Sequence, residues 1–166
     1  MRTEMGEFVV GAHLKLEENC DFVDYNVRQP GGGMAGLAEL DVIGLSFANG
    51  TAFLCEVTTH IRGLLYGSNR ETLARIARKH EHQRKYAARY LQQFPNKRFM
   101  FWSPVVPVGA LTKGLAEING LETVVNRDYA RCVERLRDRA RKEAHDTGNP
   151  FFRALQILES VRPDIE

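Results

Sequence analysis

Glu39-Leu40-Asp41-Val42-Ile43-Gly44-Leu45-Ser46-Phe47, a link Ala48-Asn49-Gly50, and Thr51-Ala52-Phe53-Leu54-Cys55-Glu56-Val57-Thr58-Thr59-His60 form the stretch that decides the fold. Asn-Gly between two runs of β-formers is a tight hairpin turn. Residues 38–60 are therefore predicted to fold back on themselves, as strands 39–47 and 51–60. Side chains alternate faces along a strand. Glu39 is then expected to share a face with Asp41, and Glu56 with Thr58 and His60, while Phe53, Cys55 and Val57 face a core. The short turn lets Asp41 and Glu56 stand on neighbouring strands. Two carboxylates that close repel unless a proton or cation lies between them, and Mg²⁺ is bound by one or two carboxylates plus water and phosphate oxygens. The bland alternative for Glu39-x-Asp41 is the exposed face of an antiparallel strand. Glu56 is less easily placed in water, because the strand before it is apolar.

Outward from the hairpin, residues 4–18 read as a helix with Phe8, Gly11, Ala12 and Leu14 at helical spacing and Asn19 as its stop. Residues 22–28 read as a strand, ended by Pro30 and Gly31-Gly32-Gly33. Beyond the hairpin, 69–94 is predicted as a long helix capped by Ser68 or Asn69. Leu73, Ile76, Ala77, His80, Ala87 and Leu91 mark its buried stripe. A strand at 98–103, a helix at 108–119, a strand at 121–125, a basic helix at 127–144 and a closing helix to 161 follow. Helix, three strands, helix, strand, helix, strand, helices is a mixed α/β order. The 166 residues suit one domain, 1–166.

Composition narrows the function classes. No apolar run approaches the ~20 residues of a membrane helix, no leader is evident, and three scattered cysteines form no C-x-x-C pair. A cytoplasmic chain that spans no membrane is expected. Net charge is +2, yet residues 1–60 carry nine acids and three bases, and the remainder 12 acids and 20 bases. That asymmetry fits an acidic metal pocket beside a basic surface for phosphates, and equally fits solvated helix faces. Gly31-Gly32-Gly33 lacks the G-K-[ST] ending of a phosphate loop and reads as a flexible loop. His80 lies on the apolar stripe as a core histidine. It is two residues from His82, so the two point apart and share no metal.

Four elements in order resemble the small RecB-like and Holliday-junction-resolvase-like members of the PD-(D/E)XK nuclease superfamily. They are Gly6-Glu7-Phe8 on the first helix, Asn26-Val27-Arg28 at the end of a strand, Glu39-Leu40-Asp41, and Glu56-Val57-Thr58. Gln83-Arg84-Lys85-Tyr86 is similar to the Q-x-x-Y helix motif of RecB-like nucleases. The resemblance implies a restriction-endonuclease-like mixed sheet with added C-terminal helices. It implies a Mg²⁺ (or Mn²⁺) site with Asp41 and Glu56 as ligands, Glu7 reaching the metal directly or through water, and the Val57 carbonyl as a further donor. Gln83 and Tyr86 would line the site near a substrate phosphate. The activity implied is hydrolysis of phosphodiesters by metal-activated water, on DNA or alternatively RNA, with the basic segments 70–98 and 127–143 tracking the backbone. The chain departs from the pattern at Thr58, where the family has a lysine. Lys79, at i, i+4 and i+7 with Gln83 and Tyr86, is the preferred replacement, and His60 the second. The opposing expectation is a nuclease fold without catalysis, acting as a nucleic-acid or protein binding module. A third is an α/β ligand-binding or interaction domain with an accidental likeness. A homodimer is left open.

Overall fold

The computed structural model describes residues 2–29 and 39–162. Its elements are α1 (Met5–Leu16), β1 (Phe22–Arg28), β2 (Glu39–Ser46), β3 (Thr51–Val57), α2 (Asn69–Tyr90), β4 (Asn96–Ser103), α3 (Ala110–Ala116), β5 (Leu121–Val125), α4 (Arg127–Lys142) and α5 (Pro150–Ser160). The expected Gly31-Gly32-Gly33 loop and Pro30 lie outside the described residues. The strands make one open mixed sheet in the order β1-β2-β3-β4-β5. β1, β2 and β3 form an antiparallel meander, and β4 and β5 run parallel to β3.

Helices cover both faces. α1, α4 and α5 contact one another, and α1 lies on β1, β2 and β3; α2 lies on β3 and β4 and touches α3. β3 is central, so Ala52, Phe53, Leu54 and Cys55 are all buried, as a strand covered on both faces requires. Phe53 and Cys55 join Val9, Val10, Leu14 and Trp102. Ala52 and Leu54 join Tyr86, Ala87 and Leu91. α1 is buried nearly all round, and at Gly11 any side chain would collide with the Tyr25 ring.

Several boundaries differ from expectation, each for a local reason. α1 stops at Leu16, and Asn19 adopts a left-handed φ of 53° beyond it. β3 ends at Val57, so Thr58 and His60 are not strand residues. By then β2 has left its side, and only the bond from Thr58 N–H to the Trp102 carbonyl (2.9 Å) continues the ladder. α2 ends at Tyr90; Leu91 turns out of the helix, and it and Phe94 fold inward ahead of Pro95. β4 starts earlier, at Asn96, and α3 and α4 are shorter than expected. The buried stripe of α2 is Thr72, Ile76, His80, Gln83, Tyr86 and Ala87. Ala77 is exposed, one position and therefore ~100° round from Ile76.

Alternation also fails at one place. Tyr25 and Val42 pack towards α1, but Val27 and Leu40, two residues along each strand, pack towards α2. Between them lie Asn26, with φ 52°, and Asp41. Asparagine tolerates this left-handed conformation better than most residues. The shared face expected for Glu39 and Asp41 does not follow across such a break.

Candidate functional site

Pairing between β2 and β3 runs from Ser46↔Thr51 to Val42↔Cys55. The next step of that register would set Asp41 opposite Glu56, and there the strands part. β2 continues against β1 to Glu39, and β3 continues against β4 to Val57. The candidate site lies in this fork, beneath α2. Asp41 uses the space by turning its carboxylate onto β3, where Oδ2 accepts the Val57 N–H at 2.8 Å. Val57 thus serves the site through its N–H.

Lys79 reaches the fork from α2, its Nζ 3.0 Å from Glu56 Oε1, with both side chains largely buried. Burial pushes Glu56 up to about 8; the negative charge of Asp41 adds to this, and Lys79 opposes it. Asp41 is raised too, first by burial, against the pull of the Val57 N–H and Lys79. The two carboxyls perturb one another, each being among the causes of the other's shift. Burial alone would lower Lys79, but Glu56 and Asp41 outweigh it and hold the ammonium charged. The fork therefore contains two carboxyls that burial and mutual repulsion push towards their protonated forms, and one ammonium that favours their ionised forms.

Two more side chains border it. Tyr66 is raised by burial, and it feels Arg75, Glu56, Lys79 and Asp41. Its hydroxyl is 3.0 Å from His60 Nε2, and the Arg75 guanidinium stacks 4.1 Å from its ring centroid. Neither Tyr66 nor Arg75 stood out in sequence. Arg75 carried a usable signal, one helical turn before Lys79. Tyr66 carried none, because its place is set by the loop, through Leu64 N–H on the Val105 carbonyl and Tyr66 N–H on Thr72 Oγ1.

The other expected site residues are engaged in, or buried by, the surrounding fold. Glu7 is buried near Asp41, but its Oε2 accepts from the Glu4 N–H (2.9 Å) and from Asn26 Nδ2 (3.2 Å). It closes the N-terminal cap of α1, a capping-box geometry. Burial raises its pKa, the Glu4 N–H opposes this, and Asp41 adds to it. Gln83 is fully buried, and its amide donates to the Leu54 and Met100 carbonyls at 3.0 and 3.1 Å. Both amide hydrogens are spent bridging β3 and β4, so Gln83 is a core clamp and not a residue facing a phosphate. Tyr86 lies in the α2-side core against Tyr90. Thr58 is buried with its hydroxyl unpartnered. His80 is the satisfied core histidine expected, bonded to Gln83 and to the Asn119 carbonyl.

The donor chemistry suits a hard cation bound by two carboxylates. Among the described residues no three His, Cys, Asp or Glu side chains converge on one point. Asp41 and Glu56 are the two that could supply oxygens, in the one-or-two-carboxylate pattern of Mg²⁺, which draws its remaining ligands from water and substrate. Compared with known protein families and with curated protein sequences, the chain matches none.

Proposed function

We propose that the chain is a divalent-metal-dependent nuclease of the PD-(D/E)XK type, hydrolysing phosphodiester bonds of DNA, with RNA as the second substrate class. The observation that carries this reading is the contact of Lys79 Nζ with Glu56 Oε1, beside Asp41, in the fork where β2 and β3 part. It supplies from α2 the cation that Thr58 does not. The order α1-β1-β2-β3-α2-β4 supports the restriction-endonuclease-like topology that the four-element resemblance implied.

On this reading Asp41 and Glu56 would hold Mg²⁺ or Mn²⁺, which when bound would acidify water and neutralise charge developing on phosphorus. The chain's own residues do the remainder. Val57 N–H fixes the Asp41 carboxylate in the fork. Glu56 must give up its proton for the pair to act as a ligand set. Lys79, already charged, stabilises that ionised form and stands ready to orient water or a phosphate oxygen. Arg75 borders the site at the Tyr66 ring and offers a second cation for a phosphate.

Thr58 favours a second reading, a nuclease fold that binds without cleaving. One experiment separates them. Purified protein is incubated with Mg²⁺ or Mn²⁺ and single-stranded, duplex and branched DNA or RNA, beside folded Asp41→Asn and Glu56→Gln proteins. Cleavage by the parent and not by the variants supports the nuclease. Binding without cleavage under all conditions moves the assignment to the binding module.

A further inference from the structure

Away from the fork, on the face of the sheet that carries α1 and α4, an open cavity of about 310 Å³ is walled by His13, Glu18, Arg98, Trp102, Cys132 and Arg135, among others. Cys132 is 6% exposed at its wall. Arg135, half exposed, donates from Nη2 to Cys132 Sγ at 3.1 Å. His13 is 5% exposed; its Nε2 lies 3.3 Å from Glu18 Oε1, and its Nδ1 is buried with no hydrogen-bond partner. Glu18 is held in turn by Arg98 at 3.2 Å. Burial works against charge on His13, yet Cys132 and Glu18 outweigh it and hold the imidazole at about 8.

A cysteine that only filled space would need neither a guanidinium on its sulfur nor an oriented imidazole beside it. Nucleophile, proton carrier and a carboxylate that orients the carrier are the parts of an activated nucleophile, and cationic neighbours favour reaction at sulfur. Neither Cys20 nor Cys55 lines this cavity.

We propose that Cys132 is a redox-modification site, at which a small hydroperoxide entering this cavity oxidises the thiol to a sulfenic acid. Sulfur attacks the terminal peroxide oxygen, so that an S–O bond forms as the O–O bond breaks. The thiol proton reaches the departing oxygen by way of His13. Sulfur loses two electrons, and the hydroperoxide is reduced to an alcohol, or to water when it is hydrogen peroxide.

The test uses the full chain with a small excess of hydrogen peroxide, a 1,3-dione trap for sulfenic acid, and mass measurement of each cysteine peptide. His13→Gln, Arg135→Leu and Arg135→Lys proteins run beside it, each matched to the parent by circular dichroism. The expected result is an adduct at Cys132 roughly tenfold above Cys20 and Cys55, formed roughly fivefold more slowly in Arg135→Leu. Arg135→Lys, which keeps the charge, retains more of the rate than Arg135→Leu. Equal labelling of the three cysteines, or a Cys132 rate unchanged in both His13→Gln and Arg135→Leu, would overturn the proposal. Arg135 is a half-exposed side chain, so its variants keep the test available even where His13→Gln fails to fold.

Discussion

α2 and α4 look alike in sequence and differ in what their charges do. Each carries seven basic residues, with two acids on α2 and three on α4. On α4 most of the cations are spent. Arg131 pairs with Asp128, Arg137 with Glu134 and Glu159, and Arg141 with Asp138 and Glu159. Arg135 and Arg139 reach Glu17 on the segment after α1, and Arg139 also bonds Glu143 and the Leu16 carbonyl. On α2, Lys79 goes to the fork, Arg75 lies over Tyr66, and Arg70, Arg78 and Arg84 have no ion-pair or hydrogen-bond partner among the described residues. Charge count alone made the two helices equivalent. Pairing leaves free cations on α2 and ties most of those on α4 to carboxylates, many of them on neighbouring segments.

The largest expected effect lies at Lys79. Lys79→Met should lower cleavage by roughly 10²–10³-fold, the usual loss for one preorganised charge in a site, while binding of nucleic acid persists. Arg139→Ala on α4, measured for kcat/KM on the same substrate, should leave cleavage unchanged. Equal losses in two folded proteins would erase the distinction between the helices.

The next effect is on stability against pH, and it belongs to the fork. Glu56 is raised from an ordinary value near 4.5 to about 8, so the folded chain keeps a proton that the unfolded chain releases. Its contribution is fully present below about 4.5 and is lost as pH rises to about 8, a loss on the order of 5 kcal/mol. His13, also raised, titrates in the same direction, so the parent's Tm should fall between pH 5 and 8.5. Glu56→Gln should flatten that fall only in part. Identical slopes for parent and variant would remove Glu56 from the explanation. If the pair binds Mg²⁺, the ion competes with the Glu56 proton, so it should raise Tm more at pH 8.5 than at pH 6.

Much of this architecture was legible because local rules determine it. Asn49-Gly50 fixes the hairpin register, and that register alone brings Asp41 to Glu56. Lys79 was reachable from helical spacing once Thr58 had opened the question of a missing cation. What escaped depended on non-local geometry. The left-handed Asn26 breaks alternation along β1, and nothing adjacent in sequence announces it. Gln83 has the composition of a surface residue, but two sheet carbonyls lie within its reach. Glu7 is drawn into a helix cap by Glu4, three residues before it, a local signal outweighed by the four-element pattern. Tyr66 arrives in the site only through contacts of a loop with the segment after β4.

Removing the ties of α4 is expected to cost less than removing the fork's charge. Arg139→Ala deletes contacts to Glu17, Glu143 and the Leu16 carbonyl at once. A loss of about 1–2 kcal/mol is expected, above that of an isolated surface pair because a main-chain acceptor is abandoned too. Urea unfolding at pH 7 measures it, and no change would mean that these ion pairs are ornaments of the surface.

The smallest effect on stability, and the sharpest on the comparison, is expected at Arg84. It is exposed on α2 with no ion-pair or hydrogen-bond partner among the described residues, so Arg84→Ala should stay within about 0.5 kcal/mol of the parent. If α2 tracks phosphates, the same change should lower the slope of log K against log[salt] for duplex binding by about 0.9, the release of one counterion. Arg131→Ala on α4, whose guanidinium is already paired with Asp128, should leave that slope alone. The pair of slopes separates a helix whose charges await an anion from one whose charges already have carboxylates. A slope shift at Arg131 and none at Arg84 would reverse the assignment and send the nucleic acid across α4.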